Sequence, residues 1–222
     1  MSLYLVATPI GNLEDITLRA LRILKESDYI LCEDTRVGKK LLDHYQIKKT
    51  LISFHHHSLD SKYKEILSLL KKGMKISMIS DAGTPGISDP GGLLVNFVRK
   101  NDPDILIEPI PGASALTSAI SVSGIKIDKF VFFGFLPHKK GRMRLIEEII
   151  LNKYPVVLFE SKHRILKLLK EIGDFNSDKK IIIFREISKM YYSFYEGQAV
   201  DLLNRFKEGN DSLKGEFVVI IH

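Results

Sequence analysis

Cysteine, a basic leader and long apolar runs are scarce or missing in this sequence. Cys32 is the only cysteine among 222 residues, so an intramolecular disulfide is impossible, and its apolar neighbours indicate a core position rather than a nucleophile. The longest apolar runs are strand-sized, well short of the roughly 18 residues that suggest a membrane span. The N-terminus lacks a basic leader and enters a predicted strand directly. We therefore predict a cytoplasmic protein that does not enter the membrane.

The glycine fingerprints of two common nucleotide sites are missing as well. No two glycines are spaced Gly-x-Gly, which argues against a dinucleotide site, and no glycine loop ends in Gly-Lys-Ser/Thr, which argues against a P-loop. NAD and ATP chemistry are therefore disfavoured. Acidic residues are outnumbered, because 33 lysines and arginines face 27 aspartates and glutamates and give a formal net charge of +6. A basic chain favours a polyanionic partner, although charge alone is a weak signal.

Short β-rich runs alternate with amphipathic segments through the first half of the chain, which predicts a βαβ series and a mostly parallel sheet. After residue 110 a helix of small residues leads into an aromatic strand, and later strands follow one another closely, which indicates a mixed sheet. We therefore predict an α/β fold of two domains with flanking helices, residues 1–117 and 118–222. The predicted strands of the first domain are Leu3–Ala7, Tyr29–Cys32, Thr50–Phe54, Lys75–Ile79 and Ile105–Ile110.

Five loops rich in special residues follow the predicted strands of the first sheet. Loops after parallel strands emerge at the carboxyl edge of the sheet, where ligands of open α/β sheets bind. We therefore expect these loops to form a single ligand site. They are TPIGN (8–12), EDTR (33–36), HHHS (55–58), DAGTPGISDPGG (81–92) and PGASA (111–115).

The fourth loop, residues 81–92, is the most specific of the five. Four of its twelve residues are glycines, where the composition of the whole chain would give about one. Such a loop lets backbone amides approach a ligand, and Asp81 can accept hydrogen bonds from hydroxyl or amino groups. The alternative is an inert turn. The small residues of PGASA have two possible explanations, which both stay open. They could let the amides of the following helix approach a ligand closely, or they could allow tight packing of that helix on the sheet.

Eight blocks in this chain match a known family in order and nearly end to end. They closely resemble ribosomal RNA small subunit methyltransferase I, a branch of the tetrapyrrole methylase superfamily. The TPIGN and SDAGTPGISDPG blocks are the most specific. In chain order the blocks are LYLVATPIGNLEDITLRAL, CEDTR, SDAGTPGISDPG, PIPGASALTSAISVSG, FVFFGFLP, FESKHR, REISK and KGEFVVII.

The resemblance implies a two-domain tetrapyrrole-methylase-like enzyme, usually a homodimer, that holds S-adenosylmethionine in a cleft which the C-terminal domain completes. It further implies methyl transfer to the 2′-hydroxyl of a cytidine in 16S ribosomal RNA, with the assembled 30S subunit as the expected partner. By position, the implied cofactor contacts are Pro9, Asp81, Ala82, Gly83, Thr84, Ser114, Ala115, Phe159 and Glu216.

The EDTR loop supplies the candidate catalytic residues. A ribose hydroxyl is a poor nucleophile, so Glu33 or Asp34 would orient or deprotonate it, with Arg36 steering phosphate. Two alternatives stay open, because Asp34 could cap the next helix and Arg36 could pair with an acid. The histidine run at 55–57 invites a zinc site, yet neither cysteine nor an HExxH pattern accompanies it, so we expect no metal.

A basic segment after the aromatic strand is the main candidate for RNA contact, since residues 138–144 hold four fixed positive charges. A solvated helix start is the alternative for this segment, and Asn12 could instead cap its own turn. The RNA-binding candidates are Asn12, His55, His57, Lys139, Lys140, Arg142 and Arg144.

Two competing functions remain at this stage. One is a superfamily enzyme that methylates a tetrapyrrole or a modified protein side chain, and the basic loop with the TPIGN and EDTR blocks argues against it. The other is a noncatalytic RNA-binding or ribosome-assembly module that kept the fold. Such a module would not consume S-adenosylmethionine, which separates it from an enzyme by a simple assay.

Overall fold

The computed structural model describes residues 1–56, 58–175, 178–209 and 213–222. The chain divides into two compact units, Met1–Ser114 and Ala115–His222. The second unit begins with helix α5 (Ala115–Ser121), which packs in that unit's own core. The boundary predicted at residue 117 falls inside this helix, three residues after the end of the first unit at Ser114.

The first unit is a five-stranded sheet with the order β3-β2-β4-β1-β5, in which all neighbouring strands are parallel. Strands β1 and β4 are therefore adjacent, and the loops that follow them leave the sheet side by side. The strands are β1 (Ser2–Val6), β2 (Tyr29–Cys32), β3 (Thr50–Ser53), β4 (Lys75–Met78) and β5 (Leu106–Ile110). The helices are α1 (Leu18–Glu26), α2 (Thr35–His44), α3 (Asp60–Lys71) and α4 (Gly91–Asn101).

Side chains alternate between the two faces of this sheet and fill two cores. Tyr4 and Val6 of β1 pack with α1 and α2, whereas Leu3 packs with α3 and α4 on the opposite face. Because both faces are covered, the inner strands are apolar on both sides, as is typical of parallel sheets. Right-handed crossovers that run in opposite directions along a sheet place their helices on opposite faces, which agrees with α1 and α2 on one face and α3 and α4 on the other.

The second unit is a mixed five-stranded sheet with the order β6-β7-β10-β8-β9, in which only β6 and β7 are parallel to each other. The central strand β10 is buried on both sides: Phe217 and Val219 face the three longer helices, and Val218 faces α5. The strands are β6 (Val131–Phe135), β7 (Val156–Ser161), β8 (Ile181–Arg185), β9 (Ser193–Gly197) and β10 (Glu216–Ile221), and the remaining helices are α6 (Arg142–Leu151), α7 (Ile165–Gly173) and α8 (Ala199–Lys207).

The predicted fold class is confirmed, with a parallel sheet first and a mixed sheet second. The prediction that Cys32 is a core residue is also confirmed, because the thiol is buried. Helix α1 begins at Leu18. Its cap is Thr17, whose hydroxyl accepts a hydrogen bond from the Ala20 amide, and a short 3-10 turn precedes it. Within the described ranges, no helix is both long and apolar enough to cross a membrane.

Candidate active site

The loops after β1 and β4 are joined by hydrogen bonds at the carboxyl edge of the first sheet. The Thr8 amide donates to the Gly83 carbonyl at 2.9 Å, and the Gly83 amide donates to the Thr8 carbonyl at 3.1 Å. The buried Thr8 hydroxyl also donates to the Ser80 carbonyl at 3.3 Å, and the Ser80 hydroxyl donates to the Ala82 carbonyl at 3.1 Å. These bonds fix the TPIGN loop against the start of the glycine loop.

The loop after β5 packs against the same pair. The Thr84 hydroxyl donates to the Ala113 carbonyl at 3.2 Å. A Cβ at Gly112 would lie 3.0 Å from the Cβ of Ala7, so the chain passes too close to β1 for a larger residue. Gly83 has φ +80° and also faces the Ala113 carbonyl, which favours glycine there. The structure therefore brings three of the five predicted loops together.

The glycine loop, residues 81–92, is closed by one of its own carboxylates. Asp89 Oδ1 accepts hydrogen bonds from the amides of Gly86 and Gly91, both at 2.7 Å, and Oδ2 accepts from Gly86 at 2.9 Å. A Cβ on Gly91 would lie 2.8 Å from the Gly86 nitrogen. Helix α4 begins at Gly91, so this closure also fixes where the helix starts.

The EDTR loop after β2 contacts the glycine loop. The Asp34 amide donates to Asp81 Oδ1 at 3.3 Å, and the Ser53 hydroxyl at the end of β3 donates to the Glu33 carbonyl at 3.4 Å. Four loops of the first unit are thus linked by hydrogen bonds or close packing at one edge of the sheet.

The two neighbouring carboxyl groups of the EDTR loop differ sharply in basicity. Partial burial, with the nearby charges of Asp89 and Asp81, raises the pKa of Glu33 from 4.5 to about 7. Hydrogen bonds from the Arg36 side chain and amide lower the pKa of Asp34 to about 2. A general base works best with a pKa near the working pH, so Glu33 suits that role and Asp34 does not.

Asp34 and Arg36 have structural partners, as the alternative interpretations of both residues foresaw. Asp34 caps helix α2 by accepting a hydrogen bond from the Arg36 amide at 2.8 Å. The Arg36 guanidinium forms an ion pair with the same carboxylate at 2.6 Å. The pair is exposed to solvent, so the positive charge of Arg36 is already matched by an adjacent acid.

The residues that the resemblance assigned to the cofactor differ in exposure within the first unit. Asp81 and Ala82 are exposed at the start of the glycine loop, whereas Pro9 and Gly83 are buried beneath it. Thr84, Ser114 and Ala115 are half-buried, with Ala115 opening helix α5 of the second unit. The exposed Asp81 carboxylate is the group among them best able to meet a ligand.

Phe159 and Glu216 lie in the second unit and both have neighbours there. The Phe159 ring contacts those of Phe132 and Phe135, with centroids 5.0 and 5.5 Å away. Glu216 is exposed, and its Oε2 accepts a hydrogen bond from Lys189 Nζ at 2.9 Å. Contact of Phe159 and Glu216 with the cofactor stays a prediction.

The prediction that Arg142 contacts RNA is wrong, because its side chain is only 2% exposed. Arg142 Nε donates to Glu171 Oε2 at 2.8 Å, and one of its terminal nitrogens lies 3.6 Å from Glu160. Another terminal nitrogen donates to the Pro137 carbonyl at 3.2 Å. Arg142 therefore holds the backbone at the start of the basic segment through a buried hydrogen bond and does not present a charge to solvent.

The other three fixed charges of the basic segment, Lys139, Lys140 and Arg144, are exposed. The backbone beside them is held in place, since Arg164 donates to the Leu136 carbonyl at 2.7 Å. The predicted phosphate-binding surface is accordingly smaller than expected, with these three fixed charges. We call Lys139, Lys140 and Arg144 the basic surface.

The remaining RNA candidates belong to the first unit. Asn12 caps its own turn, with Oδ1 accepting from the Glu14 amide at 3.1 Å. His55 is exposed and lines a cleft of about 550 Å³ beside β3 and α3. His57 lies outside the described residues. Among the side chains that the structure describes, no cluster of His, Cys, Asp or Glu could hold a metal ion.

Asp89, Thr8 and Ser80 organise the site but were not among the sequence-based candidates. For Asp89 a local signal existed, because an aspartate shortly before the first residues of a helix is a common capping residue. For Thr8 and Ser80 no local signal existed, since the Thr8 hydroxyl contacts a carbonyl 72 residues away.

Comparison with known proteins agrees with this geometry. Residues 2–202 match the family Tetrapyrrole (Corrin/Porphyrin) Methylases. Ribosomal RNA small subunit methyltransferase I of Thermotoga maritima is 44% identical over 219 residues, covering 99% of this chain and 97% of the relative. The protein of the same name from Borrelia garinii subsp. bavariensis is 42% identical over 220 residues, with 99% and 97% covered.

Solved structures show the same fold at low sequence identity. A diphthine synthase has a TM-score of 0.74 at 12% identity, covering 99% of this chain and 89% of that one. Uroporphyrin-III C-methyl transferase from Thermus thermophilus, complexed with S-adenyl homocysteine, has a TM-score of 0.67 at 16% identity, with 99% and 97% covered. Taken with the relatives that align end to end, these matches establish that the chain belongs to the tetrapyrrole methylase family, in the branch of ribosomal RNA small subunit methyltransferase I.

Proposed function

We propose that the chain is an S-adenosylmethionine-dependent methyltransferase that methylates the 2′-hydroxyl of a cytidine in 16S ribosomal RNA within the assembled small subunit. The observation that carries the proposal is the joined set of loops at the carboxyl edge, with Glu33 and Asp81 among them. The relatives named ribosomal RNA small subunit methyltransferase I support the RNA substrate. Assembly as a homodimer stays a prediction.

The charges at this edge suit a sulfonium nucleoside better than a phosphorylated one. The charges of Asp89 and Asp81 contribute to the raised pKa of Glu33, and the amide of the adjacent Asp34 donates to Asp81 Oδ1 at 3.3 Å. Negative charges attract a cation and repel phosphate, so they favour a positively charged sulfonium over NAD or ATP. Asp81, being exposed, would accept hydrogen bonds from a nucleoside, and the loop from Ala82 to Thr84 would pack beside it.

When bound, S-adenosylmethionine supplies an electrophilic methyl group on a cationic sulfur. The new bond joins the ribose oxygen to the methyl carbon while the carbon–sulfur bond breaks, and the sulfur keeps the electron pair. The hydroxyl proton moves to an oxygen of the ionised Glu33 carboxylate. Correct alignment of the two reactants can lower the barrier by about 7 to 11 kcal/mol, and a general base adds about 10²- to 10⁴-fold in rate.

The RNA contact is assigned to the basic surface in the second unit. All three side chains are exposed, and the loop that carries two of them is held by Arg142 and Arg164. Fixed lysine and arginine charges bind phosphates without reading sequence, so they would position the RNA and not select the cytidine.

The direct test is methyl transfer to a natural substrate. Incubating the protein with methyl-labelled S-adenosylmethionine and small subunits that lack the modification should label 16S RNA, and mapping should place the label on the ribose of one cytidine. Naked 16S RNA should accept much less label if the assembled subunit is the substrate. Subunits already methylated at that cytidine are the matched control. Label on a base, or none on any RNA, would refute the proposal.

Replacing Lys139, Lys140 and Arg144 together with alanine should weaken binding of small subunits and reduce the salt dependence. Each phosphate contact contributes about 0.7 to 0.9 to the slope of log K against log salt, so the slope should fall by about 2 to 3. Affinity for S-adenosylhomocysteine should be unchanged. The matched control removes the same charge from exposed lysines on other helices, with Lys64, Lys100 and Lys207 replaced by alanine. Equal effects of the two triple variants would count against this surface.

A further inference from the structure

We propose that Asp89 is a positioning residue of the active site, which closes the glycine loop with its carboxylate and thereby fixes a negative charge in the loop that contacts the EDTR loop of Glu33. The inference rests on the proposed function, because it takes Glu33 as the general base. Asp89 was not among the sequence-based candidates. It acts through two other features, the shape of the loop and the basicity of Glu33.

The first feature is the shape of the loop. Asp89 spans it, accepting from the amide of Gly86 on one side and of Gly91 on the other. Between them the backbone is strained at Ser88, which has φ +65° although it is not a glycine. A residue other than glycine in the left-handed region costs about 1 kcal/mol or more, so the conformation needs side-chain support. The Asp89 carboxylate provides that support from inside the loop.

The second feature is the negative charge near Glu33. The glycine loop contributes Asp81 and Asp89, and the EDTR loop contributes Asp34 with Arg36. The Asp34 charge is matched by Arg36 in an ion pair at 2.6 Å. Burial contributes most to the raised pKa of Glu33, followed by Asp89 and then Asp81. Asp89 is therefore the neighbouring charge with the larger influence on the proposed base.

Asp89 and Asp81 consequently divide two tasks. Asp81 is exposed and free to accept hydrogen bonds from a nucleoside, in addition to the bond from the Asp34 amide. Asp89 is half-buried and already accepts three short hydrogen bonds from backbone amides. A carboxylate that is bound in this way is held in position, so its charge stays at a fixed place relative to Glu33.

Two substitutions separate the shape of the loop from its charge. In Asp89→Asn, the amide oxygen can take the place of Oδ1, which accepts from both Gly86 and Gly91, so these two bonds stay while the charge and the bond from Gly86 to Oδ2 are lost. In Asp89→Ala, both the closure and the charge are lost. If Asp89 only stabilised the fold, the two variants would differ from each other in stability, but Glu33 would titrate in both as it does in the wild type.

The experiment measures rate against pH, together with affinity for S-adenosylhomocysteine by calorimetry. For Asp89→Asn we expect the acid limb of kcat to move to lower pH by about 0.5 to 1 unit, because a like charge near Glu33 is gone. Its affinity should stay within about twofold of the wild type. Asp89→Ala should show the same displacement and bind about tenfold more weakly, since the loop opens. An affinity loss in Asp89→Asn equal to that of Asp89→Ala would overturn the inference, and so would an acid limb that stays in place together with an unchanged titration of Glu33.

A second measurement distinguishes this inference from the proposed function. Carbon-13 NMR of protein carrying labelled glutamate follows the Glu33 carboxyl in the absence of RNA, with Glu33→Gln identifying its signal. If this signal titrates at lower pH in Asp89→Asn while the rate profile does not move, Glu33 is not the base, and the electrostatic action of Asp89 is upheld. If the signal does not move, the inference on Asp89 is refuted whatever the activity.

Discussion

Replacing Glu33 by glutamine should lower kcat for methyl transfer by about 10²- to 10⁴-fold, the range that a general base contributes. Glutamine keeps the size of the side chain but cannot take a proton from the ribose hydroxyl. Affinity for S-adenosylhomocysteine should stay within about twofold, because the proposed cofactor contacts belong to other residues. The assay is single-turnover methylation of unmodified small subunits with saturating S-adenosylmethionine.

The rates of the wild type and of Glu33→Gln should also depend differently on pH. With a pKa of about 7, the Glu33 carboxyl is protonated in acid, so the wild-type rate should rise with pH and level off above about 7. The residual rate of Glu33→Gln should lack this limb. The matched control is Glu208→Gln, which makes the same chemical change at an exposed position just after the last helix of the second unit. A variant that kept both full rate and the limb would exclude Glu33 as the base.

The same substitution also alters stability, and the direction follows from the raised pKa. Between pH 4.5 and about 7, the folded chain keeps a proton on Glu33 that the unfolded chain releases. The contribution of Glu33 is therefore fully present below pH 4.5 and is lost as pH rises through about 7. Glu33→Gln should be more stable than wild type in alkali, by about 1 kcal/mol after solvent screening of this half-buried group. Thermal unfolding at about pH 5 and pH 8 measures the difference.

Much of the fold followed from local pattern. The sequence predicted the bounds of β2 as the structure has them, and those of the other four strands of the first sheet to within one residue at each end, because each is a short apolar run with definite flanking residues. The site was less accessible to such reasoning. The bonds between Thr8 and Gly83 join residues far apart in sequence, and a pattern of neighbouring residues holds no information about such pairs.

The burial of Arg142 could have been predicted from the helical spacing of apolar residues in α6. The basic residues around it instead favoured an exposed position. The buried residues of α6 are Arg142, Ile146 and Ile149, at the spacing that places side chains on one helix face. That period put Arg142 on the inner face, although its neighbours in the basic segment are exposed. Burial became possible because Glu160 and Glu171 provide carboxylates in the core, and no local pattern in α6 reveals them.

Glu33 and Asp34 illustrate a distinction that the sequence could not make. The two acids are adjacent, and both are chemically able to take a proton. Their environments separate them, since Asp34 caps α2 and pairs with Arg36, whereas Glu33 is partly buried near two other acids. Basicity in proteins is set by such surroundings, which depend on the packing of loops from different strands.

Gly91→Ala should weaken binding of S-adenosylhomocysteine by about 10- to 100-fold. The added Cβ would lie 2.8 Å from the Gly86 nitrogen, 3.0 Å from Asp89 Oδ1 and 3.2 Å from the Gly86 Cα. Two of these three atoms are backbone, so the clash cannot be relieved by rotating a side chain. The loop must open, and the hydrogen bonds that Asp89 accepts must lengthen or break.

The adjacent glycine provides a matched control for this prediction. A Cβ on Gly92 meets nothing within 4 Å, although the residue is also a glycine in the first turn of α4. Gly92→Ala should bind S-adenosylhomocysteine as the wild type does and should be stabilised by up to about 1 kcal/mol, since alanine favours a helix. Gly91→Ala should lose about 1 to 3 kcal/mol through overpacking. Calorimetry with S-adenosylhomocysteine and thermal unfolding test both variants, and equal affinities would show that closure of the loop is not needed to hold the cofactor.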